Sequence, residues 1–317
     1  MAQPERDGSA LGPVAVIGTG LIGAGWAALM LARGLAVRAW DPSPGFGDRL
    51  RAAVEARAPS LARLGLVPDP GRLSCHDRLE DAVAEAGFVQ ENAPDTEAAK
   101  RPLFAALDQA VPRASVIASS SSALTLSPLV ADLAGADRFV LGHPINPADL
   151  MPLVEVSGGE RTAPSAIAGA VAFYRALGKR PVVLRREIAG HLAGRLAAAL
   201  YREAVALVED GIADAATVDE ALRNSMGLRW AATGVHLSYH LGGGAGGGLR
   251  HYLDHLGPAQ ERRWASMRTP RLTPALKDRL VAEVEAIAAG RSIAALEAER
   301  DSRLAAILAA LAEPSHG

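Results

Sequence analysis

A glycine-rich turn near the start of the chain restricts its possible folds more than any other feature of the sequence. The apolar run Val14–Ile17 leads directly into six residues and then into a helix-forming stretch. Those six residues are Gly18, Thr19, Gly20, Leu21, Ile22 and Gly23. In a strand–turn–helix unit, the three glycines permit a tight turn, close approach of a pyrophosphate, and close packing of the helix on the strand. Because N–H groups at the helix N-terminus bind phosphates, the pattern predicts a dinucleotide-binding unit of the Rossmann type.

An acidic residue at the end of the second predicted strand bears on the choice of cofactor. The run Val37–Trp40 ends at Asp41, at the spacing where a carboxylate binds the adenosine ribose hydroxyls of a dinucleotide. A carboxylate there repels a 2′-phosphate, and no Arg or Lys follows immediately to bind one. The sequence therefore predicts NAD as the cofactor. The alternative is a glycine-rich turn in an unrelated doubly wound domain that binds FAD or another nucleotide.

The remainder of the chain changes character near residue 187. Before that point, short apolar runs alternate with helix-like stretches, which is typical of a parallel α/β sheet. The further predicted strands are Phe88–Gln90, Val116–Ala118, Phe139–Leu141, Leu153–Val156 and Pro181–Leu184. After it, long helical patterns such as Leu192–Glu209 take over. We predict an α/β protein with an N-terminal Rossmann NAD-binding domain (1–187) followed by an all-helical C-terminal domain (188–317) for substrate binding and dimerisation.

Charge and composition exclude several classes of partner. The formal net charge is −2 and no basic stretch occurs, so neither nucleic acid nor an anionic membrane surface is an expected partner. The single cysteine, Cys75, excludes an internal disulfide and fits a reducing compartment. The N-terminal residues are polar, and no stretch approaches the roughly 20 apolar residues that span a bilayer. A soluble, cytoplasmic protein is expected.

Three segments near the ends of predicted strands carry side chains suited to alcohol oxidation. They are Ser119–Ser122, His143–Pro147 and Pro152–Val156. His143 is a candidate base for the hydroxyl proton, because the pKa of histidine lies near working pH, and Glu155 on the next strand would orient the imidazole. Ser122 and Asn146 would hold the substrate oxygen and the nicotinamide ring. From the residues alone, stabilisation of a proline-rich turn by His143 and Asn146 is an equal alternative.

Together, these motifs resemble the L-3-hydroxyacyl-CoA dehydrogenase superfamily, in the same order, with similar spacing and over nearly the whole chain. The resemblance implies that His143 and Glu155 form a catalytic dyad and that Ser122 and Asn146 contact substrate and nicotinamide. It also places three residues along the cofactor: Asn92, Asp95 and Lys100. For Lys100 the alternative is a solvated helix residue. A homodimer formed by the helical domain is implied as well.

Within the superfamily, the chain is most similar to the branch that acts on free hydroxy acids, including L-carnitine 3-dehydrogenase and L-gulonate 3-dehydrogenase (lambda-crystallin). The segments Gly227–Trp230 and Tyr239–Leu241 resemble carnitine dehydrogenase in particular. No lysine lies between Asp41 and Lys100, where the CoA-using members carry a lysine-rich helical excursion. The prediction is NAD-dependent oxidation of a small 3-hydroxy acid to the 3-keto acid. The alternatives are an L-gulonate or 3-hydroxyacyl-CoA dehydrogenase, and an NAD-binding protein without turnover.

The sequence departs from the family pattern in the segment that begins the helical region. His191 stands where the acyl-CoA enzymes carry phenylalanine, and Gly194 where they carry an active-site asparagine. Glycine cannot donate the substrate hydrogen bond, and losing such a donor costs roughly a hundredfold or more in rate. Either another group, with His191 the nearest in sequence, replaces it, or the substrate does not need the contact. Close helix packing is the alternative explanation of Gly194.

The helical region offers candidate substrate ligands and no convincing metal site. Arg229 would pair with a substrate carboxylate, although an exposed surface arginine is equally compatible with the sequence. A trimethylammonium group favours an aromatic cage, for which the candidates are Trp230, Tyr239, Tyr252 and Trp264. Small residues follow Trp230, which argues against carnitine as the specific substrate. The histidine pairs His236/His240 and His251/His255 lack nearby cysteines, so no metal is predicted.

Overall fold

The computed structural model describes residues 12–312 of the chain. Within that range the chain forms eight strands and thirteen α-helices. The strands are β1 (Val14–Ile17), β2 (Val37–Trp40), β3 (Leu73–Cys75), β4 (Phe88–Glu91), β5 (Val116–Ser119), β6 (Phe139–Pro144), β7 (Leu153–Ser157) and β8 (Arg180–Val183). The helices are α1 (Leu21–Ala32), α2 (Phe46–Ala62), α3 (Leu79–Val83), α4 (Glu97–Ala110), α5 (Ser127–Val130), α6 (Pro164–Ala176), α7 (Leu192–Glu209), α8 (Ala215–Arg223), α9 (Met226–Thr233), α10 (Val235–Gly242), α11 (Gly248–Ser266), α12 (Pro274–Ala288) and α13 (Ile293–Ala312).

The eight strands form a single sheet in the order β3-β2-β1-β4-β5-β6-β7-β8. The predicted α/β fold is confirmed, and each of the seven predicted strands is present with its ends shifted by three residues or fewer. The sequence did not predict β3, a three-residue strand at the edge of the sheet. The prediction of a parallel sheet is corrected in one place, because β6 and β7 pair antiparallel. The connection from Pro144 to Leu153 is too short for the crossover that parallel neighbours require.

Both faces of the sheet are covered by helices, which explains the nearly uninterrupted apolar strands. Val14 and Val16 of β1 belong to a buried cluster with side chains of α1, α2 and α6. Ala15 and Ile17, which alternate with them, belong to a second cluster with α3, α4 and α5. Each large apolar side chain in these clusters stabilises the fold by about 1.5–3 kcal/mol. The two layers hold the carboxyl ends of the central strands in place.

The chain divides into two compact units. The first comprises the described residues up to Gly194 together with those from Ala298 onward, and the second is Arg195–Glu297. The second unit is helical; within it α10 packs against α11, and Glu283 on α12 accepts a hydrogen bond of 2.7 Å from the amide of Ala215, the first residue of α8. The domain limit at residue 187 stays a prediction. Among the described residues, every helix is too short or too polar to cross a membrane.

Candidate active site

The glycine turn between β1 and α1 leaves an open space above the N-terminus of the helix. Gly18 has φ +83°, and a Cβ there would lie 2.8 Å from the carbonyl carbon of Asn92. A Cβ on Gly23 would lie 1.9 Å from the Gly18 oxygen, whereas no described atom lies within 4 Å of a Cβ on Gly20. The first turn of α1 has no side-chain cap, so its N–H groups face this space without a partner from a capping residue. Glycine is required at Gly18 and Gly23 for packing, and Gly20 keeps room for a pyrophosphate.

The Asp41 carboxylate lies at the end of β2 and is held by the glycine turn. Its Oδ2 accepts from the backbone N–H of Thr19 at 2.8 Å and from the Thr19 hydroxyl at 3.3 Å, and its Oδ1 accepts from the Ser43 amide at 2.9 Å. Partial burial raises the pKa of Asp41, but these hydrogen bonds outweigh burial, and the net pKa is lowered. A fixed, ionised carboxylate at this position fits the ribose hydroxyls of NAD and opposes a 2′-phosphate.

Asn92 links the glycine turn (Gly18–Gly23) to the serine run (Ser119–Ser122) at the end of β5. Its Nδ2 donates to the carbonyl of Gln90 at 3.0 Å, with longer contacts to the Ile17 and Gly18 carbonyls. Its Oδ1 accepts from the Ser120 hydroxyl at 2.7 Å. Asn92 therefore braces the predicted cofactor site by holding two of its loops together.

Asp95 organises the serine run. It accepts from the Ser121 hydroxyl at 2.5 Å, from both the amide (2.8 Å) and the hydroxyl (2.9 Å) of Ser122, and from the Ala123 amide at 2.9 Å. Burial raises the pKa of Asp95, but the four donors more than compensate, so the net pKa is lowered. The charged carboxylate thus fixes where the Ser122 hydroxyl points.

Lys100 is almost fully buried, so the alternative of a solvated helix residue is wrong. The side chain is 1% exposed, and Nζ is 2.9 Å from both carboxylate oxygens of Glu91. Glu91 also accepts from the Ala93 amide at 2.6 Å and from the Ser119 hydroxyl at 2.5 Å. This buried pair sits beneath the loops that carry Asn92 and the serines. Glu91 was not among the predicted site residues, although its position at the end of β4 before Asn92 was a usable signal.

The imidazole of His143 lies against the carboxylate of Glu155. The two residues are directly paired in the antiparallel β6–β7 ladder, and His143 Nδ1 is 2.9 Å from Glu155 Oε2. Glu155 is 1% exposed, and its other oxygen, Oε1, accepts from the amides of Leu192 (2.7 Å) and Ala193 (2.8 Å) at the start of α7. With Oε2 as acceptor, Nδ1 carries the proton, so Nε2 is the nitrogen able to accept one.

The environment of His143 favours its neutral form. Burial lowers its pKa, the hydrogen bond with Glu155 raises it, and the neighbouring His191 lowers it, with a net lowering from the ordinary value of 6.5. The net direction keeps the imidazole unprotonated at neutral pH. A neutral imidazole with a free Nε2 is the state that a general base requires.

A cavity of about 300 Å³ brings six of the predicted site residues together: Ile22, Asn92, Asp95, Ser122, His143 and Asn146. It is large enough for a small ligand. Its lining residues are Ile22, Asn92, Ala93, Asp95, Ser120, Ser121, Ser122, His143, Pro144 and Asn146. The cavity is therefore lined by residues of the glycine turn, the serine run and the His143 segment, which lie far apart in the sequence.

Other candidates are not placed in this cavity. Gly194 lies in the first turn of α7, and no described atom comes within 4 Å of a Cβ built on it, so close helix packing does not explain this glycine. Arg229 is exposed on α9 of the second unit, and its role stays a prediction. In the same unit the rings of Tyr239 and Tyr252 are 4.9 Å apart. Among the described residues, no three His, Cys, Asp or Glu side chains are grouped as metal ligands.

Comparison with known proteins decides the family to which this arrangement belongs. The model for the 3-hydroxyacyl-CoA dehydrogenase NAD-binding domain matches residues 13–188, and the model for the C-terminal domain of the same family matches residues 190–272. The chain belongs to the 3-hydroxyacyl-CoA dehydrogenase family. Like that family, it is an NAD-dependent oxidoreductase that acts on the CH–OH group of a 3-hydroxy acid, as the resemblance implied.

Relatives of this chain and solved structures similar to it agree with that assignment. An L-carnitine dehydrogenase from Streptomyces griseus is 47% identical over 94% of this chain and 89% of its own length. One from Pseudomonas aeruginosa is 44% identical over 94% of each chain. The solved 5-formyl-3-hydroxy-2-methylpyridine 4-carboxylic acid 5-dehydrogenase, an NAD⁺-dependent dismutase, is similar with a TM-score of 0.82 at 27% identity, covering 96% of this chain and 99% of that one. A diketoreductase has a TM-score of 0.63 at 27% identity, covering 78% and 92%.

Proposed function

We propose that the protein oxidises the 3-hydroxyl group of L-carnitine to a ketone, with His143 as the general base. The observation that carries this proposal is the His143–Glu155 pair, 2.9 Å apart, beside a cavity lined by the glycine-turn and serine-run residues. L-carnitine dehydrogenases that are 42–47% identical over at least 94% of the chain support carnitine as the substrate. The absence of lysine between Asp41 and Lys100 argues against a CoA ester.

The proposed base works through the two nitrogens of one ring. His143 Nδ1 donates to Glu155, so Nε2 takes the proton of the substrate hydroxyl as the C–H bond breaks. Bound NAD⁺ supplies the hydride acceptor. The imidazolium that forms is stabilised by Glu155, whose carboxylate is already oriented by the amides of Leu192 and Ala193.

Neutral hydrogen-bonding groups in the cavity would position the reactants. We assign Ser122 and Asn146 to the substrate oxygen and the nicotinamide. The Ser122 hydroxyl donates to Asp95, so its oxygen lone pairs remain available as acceptors. Asn146 lines the same cavity and offers amide donors.

The remaining site residues would bind the dinucleotide. The glycine turn from Gly18 to Gly23 and the N-terminus of α1 would bind the pyrophosphate, and Asp41 would accept hydrogen bonds from the adenosine ribose. Asn92 and Asp95 border the cavity next to this turn, whereas Lys100 is buried against Glu91 and would support the loop that carries Asn92 through its hydrogen bond to the Ala93 carbonyl. The proposal includes a homodimer in a cytoplasmic, reducing environment.

A substrate panel tests the function directly. NADH formation is measured with L-carnitine, L-gulonate, 3-hydroxybutyrate and 3-hydroxybutyryl-CoA, at equal concentrations and with NAD⁺ or NADP⁺. We expect the highest kcat/KM for L-carnitine with NAD⁺. A higher kcat/KM for L-gulonate or the CoA ester would identify that compound, instead of L-carnitine, as the substrate. Tight NADH binding without turnover of any compound would instead identify an NAD-binding protein that has lost catalysis.

A further inference from the structure

His191 is a buried residue with an unusual backbone conformation directly beside the candidate base. It is 1% exposed and has φ +46°, in the left-handed region that residues other than glycine seldom adopt. Such a conformation costs on the order of 1 kcal/mol and persists where the surrounding structure determines it. The contacts of both the side chain and the following backbone show what holds it.

The side chain of His191 is fixed by the serine run and by the base itself. Its Nε2 is 2.8 Å from the backbone carbonyl of Ser121, which can only accept, so Nε2 carries the proton. Its ring lies against that of His143, with the centroids 4.8 Å apart and the planes inclined by 39°. The ring of His191 thus covers one side of the His143 imidazole.

The backbone after His191 reaches the partner of the base. The next two amides, those of Leu192 and Ala193, both donate to Glu155 Oε1. The left-handed turn at His191 therefore directs the start of α7 onto the carboxylate whose other oxygen holds His143. One residue in this way contacts the base through its ring and supports the partner of the base through its backbone.

We propose that His191 is a positioning residue for His143: its ring holds the His143 imidazole in place and shields it from water, while its backbone orients Glu155. The expected effect on turnover rests on the proposed function, whereas the contacts of His191 with His143 and Glu155 do not. It differs from a hydrogen bond donated by His191 to the substrate, because the Nε2 N–H already donates to the Ser121 carbonyl.

Shielding has a measurable consequence for the charge of His143. Three titratable groups face it: Glu155 from β7, Asp95 from the loop after β4, and His191 from the segment before α7. Burial is the largest cause of the lowered His143 pKa, whereas Glu155 and Asp95 raise it. If the covering ring is removed, water reaches the imidazolium and the His143 pKa should rise.

Two substitutions separate the ring from the hydrogen bond. His191→Asn removes the ring but tolerates the left-handed conformation, and His191→Phe keeps a ring but removes the N–H donor. His76→Gln is a matched control, since His76 lies after the edge strand β3 and does not line the cavity. The pKa of His143 is measured by NMR of histidine-labelled protein without substrate, and its signal is assigned by its loss in His143→Ala.

We expect the His143 pKa to rise by at least about half a unit in His191→Asn, to rise less in His191→Phe, and to stay unchanged in His76→Gln. In kinetic assays, His191→Asn should lower kcat by about tenfold with KM for substrate changed less than about twofold, and His191→Phe should retain more of kcat. An unchanged His143 pKa in His191→Asn, or equal shifts in both variants, would overturn the proposal. So would a raised KM at constant kcat, which indicates a substrate ligand. If the wild type oxidises no hydroxy acid, the proposed function fails, and the NMR titration still decides the role of His191.

Discussion

Glu155 and His143 lie directly opposite each other on the antiparallel strands β6 and β7, with Oε2 2.9 Å from Nδ1. Directly opposed residues in an antiparallel pair have their side chains on the same face of the sheet, about 5 Å apart at Cβ. The pairing therefore delivers a carboxylate to the imidazole without help from a flexible loop. Because the amides at the start of α7 bind the same carboxylate, its position is set from two sides.

Replacing the base should strongly reduce turnover and leave cofactor binding intact. His143→Ala removes the only proton acceptor that the proposed mechanism uses, and general base catalysis contributes about 10²–10⁴-fold to rate. We expect a loss of kcat in that range with the Kd for NADH changed less than about threefold. Turnover is followed by NADH absorbance and binding by fluorescence titration. Near-normal kcat in this variant would contradict the mechanism.

Glu155 should affect both rate and stability, and two variants distinguish the effects. Glu155→Gln keeps a hydrogen-bonding group but loses the charge that stabilises the imidazolium, so kcat should fall by about 10–100-fold. Glu155→Ala also leaves the Leu192 and Ala193 amides without their acceptor, which should lower the free energy of unfolding by about 1–3 kcal/mol. Urea denaturation measures the second effect. Equal stability of the alanine variant and the wild type would show that Glu155 does not hold the start of α7.

The lowered pKa of His143 sets the acid limit of activity. The base works when neutral, so kcat/KM should fall as the pH decreases through its pKa, which lies below the ordinary 6.5. Above that pKa His143 is already neutral, so a further rise in pH should not increase kcat/KM through this residue. A pH profile of L-carnitine oxidation provides the measurement. An acid limb centred above pH 6.5 would mean that Glu155, which raises the pKa, outweighs burial.

Substitution of Gly23 should mainly lower stability, whereas substitution of Gly20 should mainly weaken cofactor binding. Gly23→Ala places a Cβ 1.9 Å from the Gly18 oxygen and should lower the free energy of unfolding by about 2–3 kcal/mol. Gly20→Ala meets no described atom within 4 Å, so we expect a stability loss of at most about 1 kcal/mol but an increase of about tenfold in KM for NAD⁺. Thermal unfolding measures the stability of both variants, and steady-state kinetics measures their KM for NAD⁺. An unaffected KM in Gly20→Ala would place the pyrophosphate elsewhere.

Asp41 should determine the preference for NAD over NADP. Asp41→Ala removes a charged acceptor for the ribose hydroxyls, which contributes about 1.5–3 kcal/mol, so KM for NAD⁺ should rise about 10–100-fold. KM for NADP⁺ should rise less or fall, because the repulsion of a 2′-phosphate is also removed. Asp48→Ala, on α2, is a matched acidic control. A constant ratio of the two KM values would contradict the role assigned to Asp41.

Local sequence patterns were sufficient for the α/β fold and for the dinucleotide turn. The order of strand, glycines, helix and acid from Val14 to Asp41 is specified by neighbouring residues, because Gly18 and Gly23 meet steric conditions within the turn or against Asn92. The end of α7 at Glu209 was likewise predicted from helical periodicity. The edge strand β3 was not, since its three residues are too few to show a period.

The sequence by itself thus determined the family, the cofactor and the identity of the candidate base. The tertiary structure decided three relationships that depend on distant contacts: the antiparallel register that pairs His143 with Glu155, the burial of Lys100 against Glu91, and the left-handed turn that sets His191 against His143. The physical reason is that the charge and direction of a buried polar group depend on its neighbours across the fold. Spacing along the chain does not encode those neighbours.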